Sequence, residues 1–468
     1  MNKCIILAAG AGTRMKSNQP KVLHEILNKP MLHYVIEASK GFNPGKTILI
    51  TGHGTEAVEK KFEAYPNIAF ALQPIGEGEP YGTGYAAMQA LPYVEDEDKV
   101  LILSGDTPLI TEKTLKDLEN YYIEGGYSGV ILSATTDDLV GYGRIIRDIS
   151  GEFTAIREDR DCNPKEKKIT EINGGIYLFS GKCLREGLAS IDDDNAQGEY
   201  YLTDVVEVLS NKGYRVGAYN MGVTQELDGI NSRAQLAQAN NAMKMRINEH
   251  LMNEGVTIID PENTWIGPNV EVGKDSIIWP GAVLEGDTKI GEATIIRGTT
   301  RIVDSSIGNG VTVESSLIEN SVVGNDVTIG PFAHLRPNAV LEDNVKIGNF
   351  VEVKNATMKS GSKASHLSYV GDASVGERVN IGCGVIFVNY DGKNKFKSVI
   401  EDDAFVGSNS NVVAPVHVGK GAFIAAGSTV TCDVNEDTLV IARAKEVVKE
   451  GWSKRSALKE KSKEDNRE

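Results

Sequence analysis

Of 468 residues, 24% are charged and 41% hydrophobic, which suits folded globular protein and excludes a wholly disordered chain. Lys and Arg number 49 against 65 Asp and Glu, a net charge of −16; a nucleic-acid binder normally shows a basic face, so nucleic acid is not expected as the main partner. No apolar run approaches the roughly 18–20 residues of a membrane helix, so no membrane insertion is expected. A single Lys3 before a short strand-like run does not make a signal peptide, and the sequence reads as cytoplasmic. The five cysteines, Cys4, Cys162, Cys183, Cys383 and Cys432, are odd in number and form no C-x-x-C pair, which argues against a disulfide framework or a zinc site.

The first half, residues 1–229, alternates short β-rich runs with helix-like stretches. Strands are predicted at 4–7, 46–50, 100–103 and 130–132, and helices at 31–40, 56–63, 84–91 and 111–121. This alternation predicts an α/β fold with a mainly parallel, Rossmann-like sheet. Residues 232–253 read as one connecting helix, with Ser232 and Gln235 at capping-box spacing and Leu236, Met243, Ile247 and Leu251 near one face. Residues 230–254 are accordingly taken as a linker helix.

After Gly255 the pattern changes to an aliphatic residue every sixth position. Ile266, Val272, Ile278, Leu284, Ile290, Ile296 and Ile302 make the first run. The phase then slips by three, and Val311, Leu317, Val323, Ile329, Leu335, Leu341, Ile347 and Val353 make the second. Val375, Ile381 and Phe387 follow, then Ile400, Val406, Val412, Val418, Ile424 and Val430. Neither a helix nor a plain strand repeats every six residues, whereas a solenoid with one short strand and turn per hexapeptide does. Residues 255–445 are predicted as a parallel β-helix. Its two long interruptions, 354–374 and 388–399, are expected as external loops and as places to look for chemistry. The charged tail 446–468 is read as solvated helix or disorder.

Two strings carry chemistry. In the first half, strand 4–7 runs into Ala8-Ala9-Gly10-Ala11-Gly12-Thr13-Arg14-Met15, with Pro20-Lys21-Val22-Leu23 following. Small residues let backbone N–H groups approach a phosphate, and Arg14 and Lys21 bring positive charge. It is not the dinucleotide fingerprint, because Met15 stands where G-x-G-x-x-G needs glycine, and no Walker A Gly-Lys-Ser/Thr follows. Read alone, this is either a phosphate cradle or a plain glycine turn. Asp106, after strand 100–103, is either a ligand-site carboxylate or a turn initiator before Thr107-Pro108. Asn231 is either a ligand or a helix cap.

The whole string resembles the signature of sugar-nucleotide pyrophosphorylases. The resemblance continues through Gln73, Gly82-Thr83, Ser104-Gly105-Asp106, Gly141-Tyr142-Gly143, Glu158, Asn173 and Asn231. It implies that Leu7, Ala8, Ala9, Gly10, Gly12, Thr13, Gln73, Gly82, Thr83, Gly105, Gly143, Glu158 and Asn173 bind nucleotide and sugar. It also implies that Arg14 and Lys21 serve the transfer and that Asp106 and Asn231 hold Mg²⁺. A sugar-1-phosphate is already mostly dianionic at neutral pH, since such phosphates have a second pKa of about 6. It needs no general base to attack a nucleoside triphosphate, so the lack of a His or Glu base in this motif is consistent with that reaction.

In the second half, residues 354–374 contain Lys363-Ala364-Ser365-His366-Leu367-Ser368-Tyr369-Val370-Gly371-Asp372, and 388–399 contain Asn389-Tyr390-Asp391-Gly392 and Lys395. Arg336 and Lys354 lie on preceding coils. A histidine in an interrupted coil, with cations and a tyrosine nearby, suits an anionic substrate and a proton acceptor; imidazole ordinarily titrates at about 6.5.

With these strings in the order pyrophosphorylase, helix, hexapeptide β-helix, residues 1–445 resemble one family: bacterial bifunctional N-acetylglucosamine-1-phosphate uridylyltransferases/glucosamine-1-phosphate N-acetyltransferases. The resemblance implies a left-handed β-helix, a homotrimer, acetyl-CoA and UTP as substrates, and supply of a precursor for peptidoglycan and lipopolysaccharide. It implies His366 as general base and Arg336, Lys354, Tyr369, Asn380 and Lys395 as binders of amino-sugar phosphate. It assigns acetyl-CoA to Cys383, Asn389, Tyr390, Ser408, Ala426 and Arg443. The chain departs from the family pattern in its long 73–82 stretch. It also carries Tyr85 for His, Gly174 for Thr, His334 for Arg and Cys383 for Ala.

Overall fold

The computed structural model describes residues 1–452 except Asp138, together with Lys454. Of the expected charged tail, Ser453 and residues 455–468 lie outside the described residues. The chain divides into two compact units, Met1–Arg246 and the remainder from Ile247, with the division inside the long helix Arg233–Asn253. That helix starts with Ser232 Oγ accepting from Gln235 N at 3.2 Å. The Gln235 side chain accepts from Asn231 N rather than from Ser232 N, so the capping box is shifted by one residue. No helix among the described residues is long and apolar enough to cross a membrane.

Among the described residues, the first unit is built on a nine-stranded sheet. Strand Asn2–Leu7 lies between Lys46–Thr51 and Lys99–Ser104, parallel to both. Its residues Cys4, Ile5 and Ile6 are fully buried, because helices cover both faces of a parallel sheet and leave no solvated side. The sheet is mixed: Glu171–Ser180 runs antiparallel to both Lys99–Ser104 and Gly129–Thr135. The hairpin Arg144–Arg147 and Phe153–Arg157 joins it from the side.

In the second unit successive coils contribute one strand each to three parallel sheets of eleven, ten and nine strands among the described residues. One side chain per strand points inward and stacks on its equivalent in the next coil, as Ile266 on Leu284 and Leu284 on Ile302. These inward residues form one continuous core.

Two expectations of the repeat are corrected. The phase slip is not a single shift, and neither Val311 nor Leu317 is in the inward column, where Val313 pairs with Ile296. Ile302 pairs with Ile318, Ile290 with Ile307 and Ile307 with Val323, so three sides are each shortened by one residue and Ile318 takes the inward place. Likewise, 354–374 is not an external loop. Met358, Ala364 and Val370 are fully buried and stack on Leu341, Ile347 and Val353. The coil winds on through the supposed interruption, with a shortened side on either flank. Residues 389–397 do leave the coil: Val375 pairs with Ile400 and Phe387 with Val412 across them.

Candidate active sites

The first site grows from the C-terminal ends of the strands Asn2–Leu7 and Lys99–Ser104, joined where Gly105 N donates to Leu7 O at 2.9 Å. Past Leu7, the chain turns through Ala8, Ala9 and Gly10 into the short 3₁₀ segment Thr13–Met15. Gly12 has φ +60°, and a Cβ there would meet Lys21 Cβ at 2.6 Å, so glycine is what lets Lys21 pass beneath the turn. The Lys21 ammonium bonds the Asp106 carboxylate and donates to Asn231 Oδ1 at 2.6 Å. Arg14 Nη2 donates to the same oxygen at 2.7 Å. Asp106 is therefore not serving its turn, and Asn231 does not cap the helix, a task that falls to Ser232.

Two hard oxygen donors, one carboxylate and one amide, thus converge on a single cationic centre. Mg²⁺ uses one or two protein oxygens and completes its shell with waters and substrate phosphates, so this donor set fits it.

Of the expected nucleotide- and sugar-binding residues, Glu158 lines a cavity of about 400 Å³ whose walls also include Asp161, Asn163, Asn195, Tyr201 and Asp204, none of which was expected. Thr203 Oγ1 donates to Glu158 Oε1 at 3.1 Å. Burial pushes the Glu158 carboxyl up despite that bond, and Asp161, Glu199 and Asp159 push the same way. Burial, with Glu207 and Glu158 nearby, raises Asp204 to about 6. Thr83 Oγ1 accepts from Leu202 N at 3.1 Å, and Gly82 packs so closely that a Cβ would meet Tyr200 O at 2.4 Å. Asn173 N donates to Gly143 O at 2.8 Å, while its side chain donates to Tyr177 Oη at 2.8 Å. Gln73 is buried. The long stretch after it walls a separate cavity of about 410 Å³ with Ile75, Glu79, Pro80, Tyr81 and His53. His53 N donates to Ala9 O, so this added wall stands beside the glycine-rich turn.

In the second unit, Arg336 follows Leu335, which stacks on Val353, so Arg336 and Lys354 occupy equivalent places on successive coils. Glu352 Oε1 accepts from Arg336 at 2.8 Å. Lys395, carried by the 389–397 excursion, brings its ammonium against that of Lys354. This contact, then desolvation and the charge of Arg336, lowers the Lys354 pKa. The three cations make a site for a dianion. Tyr369 Oη lies beside them, accepting from Asn389 Nδ2 at 3.2 Å. A Cβ on Gly371 would meet that hydroxyl at 2.3 Å, so Gly371 makes room for it.

His366 ends the strand Lys363–His366 and is exposed. Its Nδ1 bonds Asn349 Oδ1 at 2.7 Å. An amide oxygen only accepts, so the ring proton sits on Nδ1 and Nε2 keeps its lone pair facing outward. Gly384 N donates to His366 O, Asn409 N to Cys383 O and Gly427 N to Ser408 O. His366, Cys383, Ser408 and Ala426 therefore stand in one column, one per coil. Three expected residues are not members of that column. Asn380 faces outward between Lys363 and Phe405 on neighbouring strands. Tyr390 is exposed and turns its hydroxyl to Gly392 O within the loop. Arg443 lies beside Gly427. Sequence reasoning missed Asn349, Glu352, Gly371 and Asp372. Gly371 and Asp372 stand in the His366 string with no role read for them there, and the partners of Asn349, Glu352 and Asp372 are made by coil stacking.

A family model for the MobA-like NTP transferase domain matches residues 4–199, and the bacterial transferase hexapeptide repeat matches residues 320–355 and 397–432. Curated relatives align end to end. A chain named Bifunctional protein GlmU from Clostridioides difficile (strain 630) is 50% identical over 458 residues, covering 98% of both chains. Its namesake from Geobacillus sp. (strain WCH70) is 49% identical over 460 residues, 98% of this chain and 99% of the relative. A third, from Caldanaerobacter subterraneus subsp. tengcongensis, is 51% identical over 448 residues, 96% of each.

Proposed function

The chain belongs to the family of bifunctional GlmU proteins, and we propose that it makes a sugar nucleotide from an amino-sugar phosphate in two steps on its two units. The first unit, with the Rossmann-like sheet, is a nucleotidyltransferase, and the second, a left-handed parallel β-helix, is an acyltransferase.

On the β-helix, glucosamine-1-phosphate is acetylated by acetyl-CoA. Its phosphate sits among Arg336, Lys354 and Lys395, with Tyr369 and Asn380 on the sugar. The amine nitrogen bonds the acyl carbon, the carbon–sulfur bond breaks, and coenzyme A leaves as the thiolate, which becomes the thiol with the proton His366 has collected. His366 Nε2 takes the amine proton. The column Cys383, Ser408 and Ala426, with Asn389, Tyr390 and Arg443, takes the coenzyme. In the first unit, the phosphate of N-acetylglucosamine-1-phosphate attacks the α-phosphorus of UTP and pyrophosphate leaves. Leu7 to Thr13 cradle the triphosphate with backbone N–H groups, Arg14 and Lys21 carry its charge, and Gln73 borders the base. Gly82, Thr83, Gly105, Gly143, Glu158 and Asn173 complete the nucleotide and sugar pocket. Asp106 and Asn231 would hold Mg²⁺, which supplies charge neutralisation between phosphates when bound.

The two units work as separable domains about the helix 230–254. The assembly is a homotrimer whose acetyl sites lie between β-helices. Its support is a ridge of apolar side chains, Phe332, Phe350 and Leu367, each more than half exposed on successive coils beside His366. Phe405 and Phe423, stacked at 4.4 Å, extend the exposed apolar surface. The substrates are cytoplasmic metabolites and the product feeds cell-envelope synthesis.

The observation that carries the reading is one chain, aligned end to end with bifunctional relatives, that has Lys21, Asp106 and Asn231 converging in one unit and an Asn349-oriented His366 in the other. The test is a coupled assay with glucosamine-1-phosphate, acetyl-CoA, UTP and Mg²⁺, omitting each in turn. UDP-N-acetylglucosamine should form only when all four are present. Product without acetyl-CoA, or none from the full mixture, refutes it.

A further inference from the structure

The 389–397 excursion has to deliver Lys395 to the same place each time, yet residues 390–397 are exposed and the hydrogen bonds of Tyr390 Oη, Lys393 N and Asn394 N stay within the loop. Its root is held at one residue, Asp372. Asn389, buried where the excursion begins, donates its amide to Asp372 Oδ2. Ser398, where the excursion ends, donates its backbone N–H to Asp372 O at 3.1 Å. Asn355 Nδ2 holds the other carboxylate oxygen at 2.5 Å, and Asp372 N donates to Lys354 O at 3.0 Å. Asp372 itself takes the left-handed conformation, with φ +49°.

The polarity of these bonds matters more than their number. A carboxylate accepts and never donates, so it obliges Asn389 to turn its Nδ2 inward. The same nitrogen donates to Tyr369 Oη. Tyr369 is thereby an acceptor on its protein side, and its own hydrogen is left to point at the bound substrate.

We infer that Asp372 is a positioning residue for acetyl transfer: through Asn389 it fixes Tyr369 as a hydrogen-bond donor toward the amino-sugar phosphate and anchors the loop that carries Lys395. This rests on the reading of the cation cluster as the amino-sugar phosphate site. Asp372→Asn keeps shape but adds a donor. Asn389 then turns its oxygen toward Tyr369, whose hydrogen swings inward and is lost to the substrate.

The experiment compares wild type, Asp372→Asn, Asp372→Ala, Tyr369→Phe and the double variant Asp372→Asn/Tyr369→Phe, with the thermal midpoint of the β-helix unit, followed by circular dichroism, as the control for folding. Asp372→Asn should raise KM for glucosamine-1-phosphate by about tenfold, the worth of one hydrogen bond to a charged group, with kcat within about twofold. Asp372→Ala, which offers no competing donor, should raise it less. Adding Tyr369→Phe to Asp372→Asn should cost nothing more, because both remove the same bond. A residue that merely braces the coil gives the reverse order, since Asn is the closer fit, and gives independent effects. Unchanged KM in Asp372→Asn, Ala worse than Asn, or multiplying effects overturns the inference. If Asp372→Asn does not fold, the cycle of Asp372→Ala with Tyr369→Phe is read in its place, and independent effects there overturn it equally. Wild type inactive on glucosamine-1-phosphate sinks the site reading itself, a separate outcome from an active wild type with an indifferent Asp372→Asn.

Discussion

Replacing His366 by Ala removes the group best placed to take a proton. The bond from Nδ1 to Asn349 Oδ1 at 2.7 Å settles which nitrogen is free, so Nε2 is the acceptor. Much of the substrate amine is protonated near pH 7, taking an α-amino pKa of about 7.7–8.0 as a guide. Even the free amine acquires positive charge as it adds to the thioester. A base positioned for that step contributes typically 10²–10⁴-fold, so His366→Ala should lower acetyl-transfer kcat by roughly that factor with little change in KM. Asn349→Ala leaves the base in place but frees the ring. The loss there should be one neutral hydrogen bond, about 1 kcal/mol, or roughly fivefold in kcat. The assay is release of free coenzyme A thiol, with uridylyl transfer from supplied N-acetylglucosamine-1-phosphate as the internal control. The uridylyl activity should not move, because that reaction needs no base and uses other residues. His366→Asn is the decisive variant, since Asn can bond Asn349 and fill the space but cannot accept a proton at neutral pH. Near-normal kcat in His366→Asn would refute the general-base role.

Asp106→Ala removes the only carboxylate on the Lys21 ammonium among the described residues. It should abolish most uridylyl transfer and shift the Mg²⁺ titration while sparing acetyl transfer; an unchanged titration curve would count against it. Gly371→Ala places a methyl 2.3 Å from the Tyr369 hydroxyl. It should raise KM for glucosamine-1-phosphate about tenfold, and an unaltered KM would show that the hydroxyl can shift without loss. Burial and the neighbouring Glu207 and Glu158 carboxylates raise the folded Asp204 to about 6, above the roughly 3.9 of a free Asp, so the native state holds its proton more tightly than the unfolded chain. Stability is lost as pH rises from about 4 to 6 and stays lost above. Asp204→Asn should therefore stabilise at pH 8 by about 1–2 kcal/mol, after allowance for partial solvation, and not at all below about pH 4. Equal gains in thermal midpoint at both pH values would contradict the cause.

The repeat was legible because an inward position recurs at a fixed interval and only aliphatic side chains fit there. It became illegible where the interval changed. Ile318 rather than Leu317 points inward because the preceding side is one residue short, and adjacent aliphatics give no means of choosing between them. Ala364 was overlooked because alanine is a weak hydrophobic signal, although it lies fully buried in the stack. The same limit governs the sites. The glycine-rich turn is contiguous, so its character could be read directly. Asn231 reaches Arg14 across 217 residues, and alone it reads equally well as a cap. Asn349, Glu352 and Asp372 act on residues one coil away, a distance set by how many residues each side contains. A β-helix can therefore display its period openly and still conceal its active site. The period is written in the inward residues, while the chemistry depends on which outward residues the shortened sides bring into line. The shortened side from Val353 to Met358 is the one that sets Lys354 beside Gly371 and Glu352 beside Tyr369. A one-residue insertion there that the corner does not absorb would move inward and outward side chains together by one place, setting polar residues against the core. It should thus abolish acetyl transfer and destabilise the later coils together, and an insertion variant that keeps full acetyl transfer and thermal stability would refute the dependence on that shortened side.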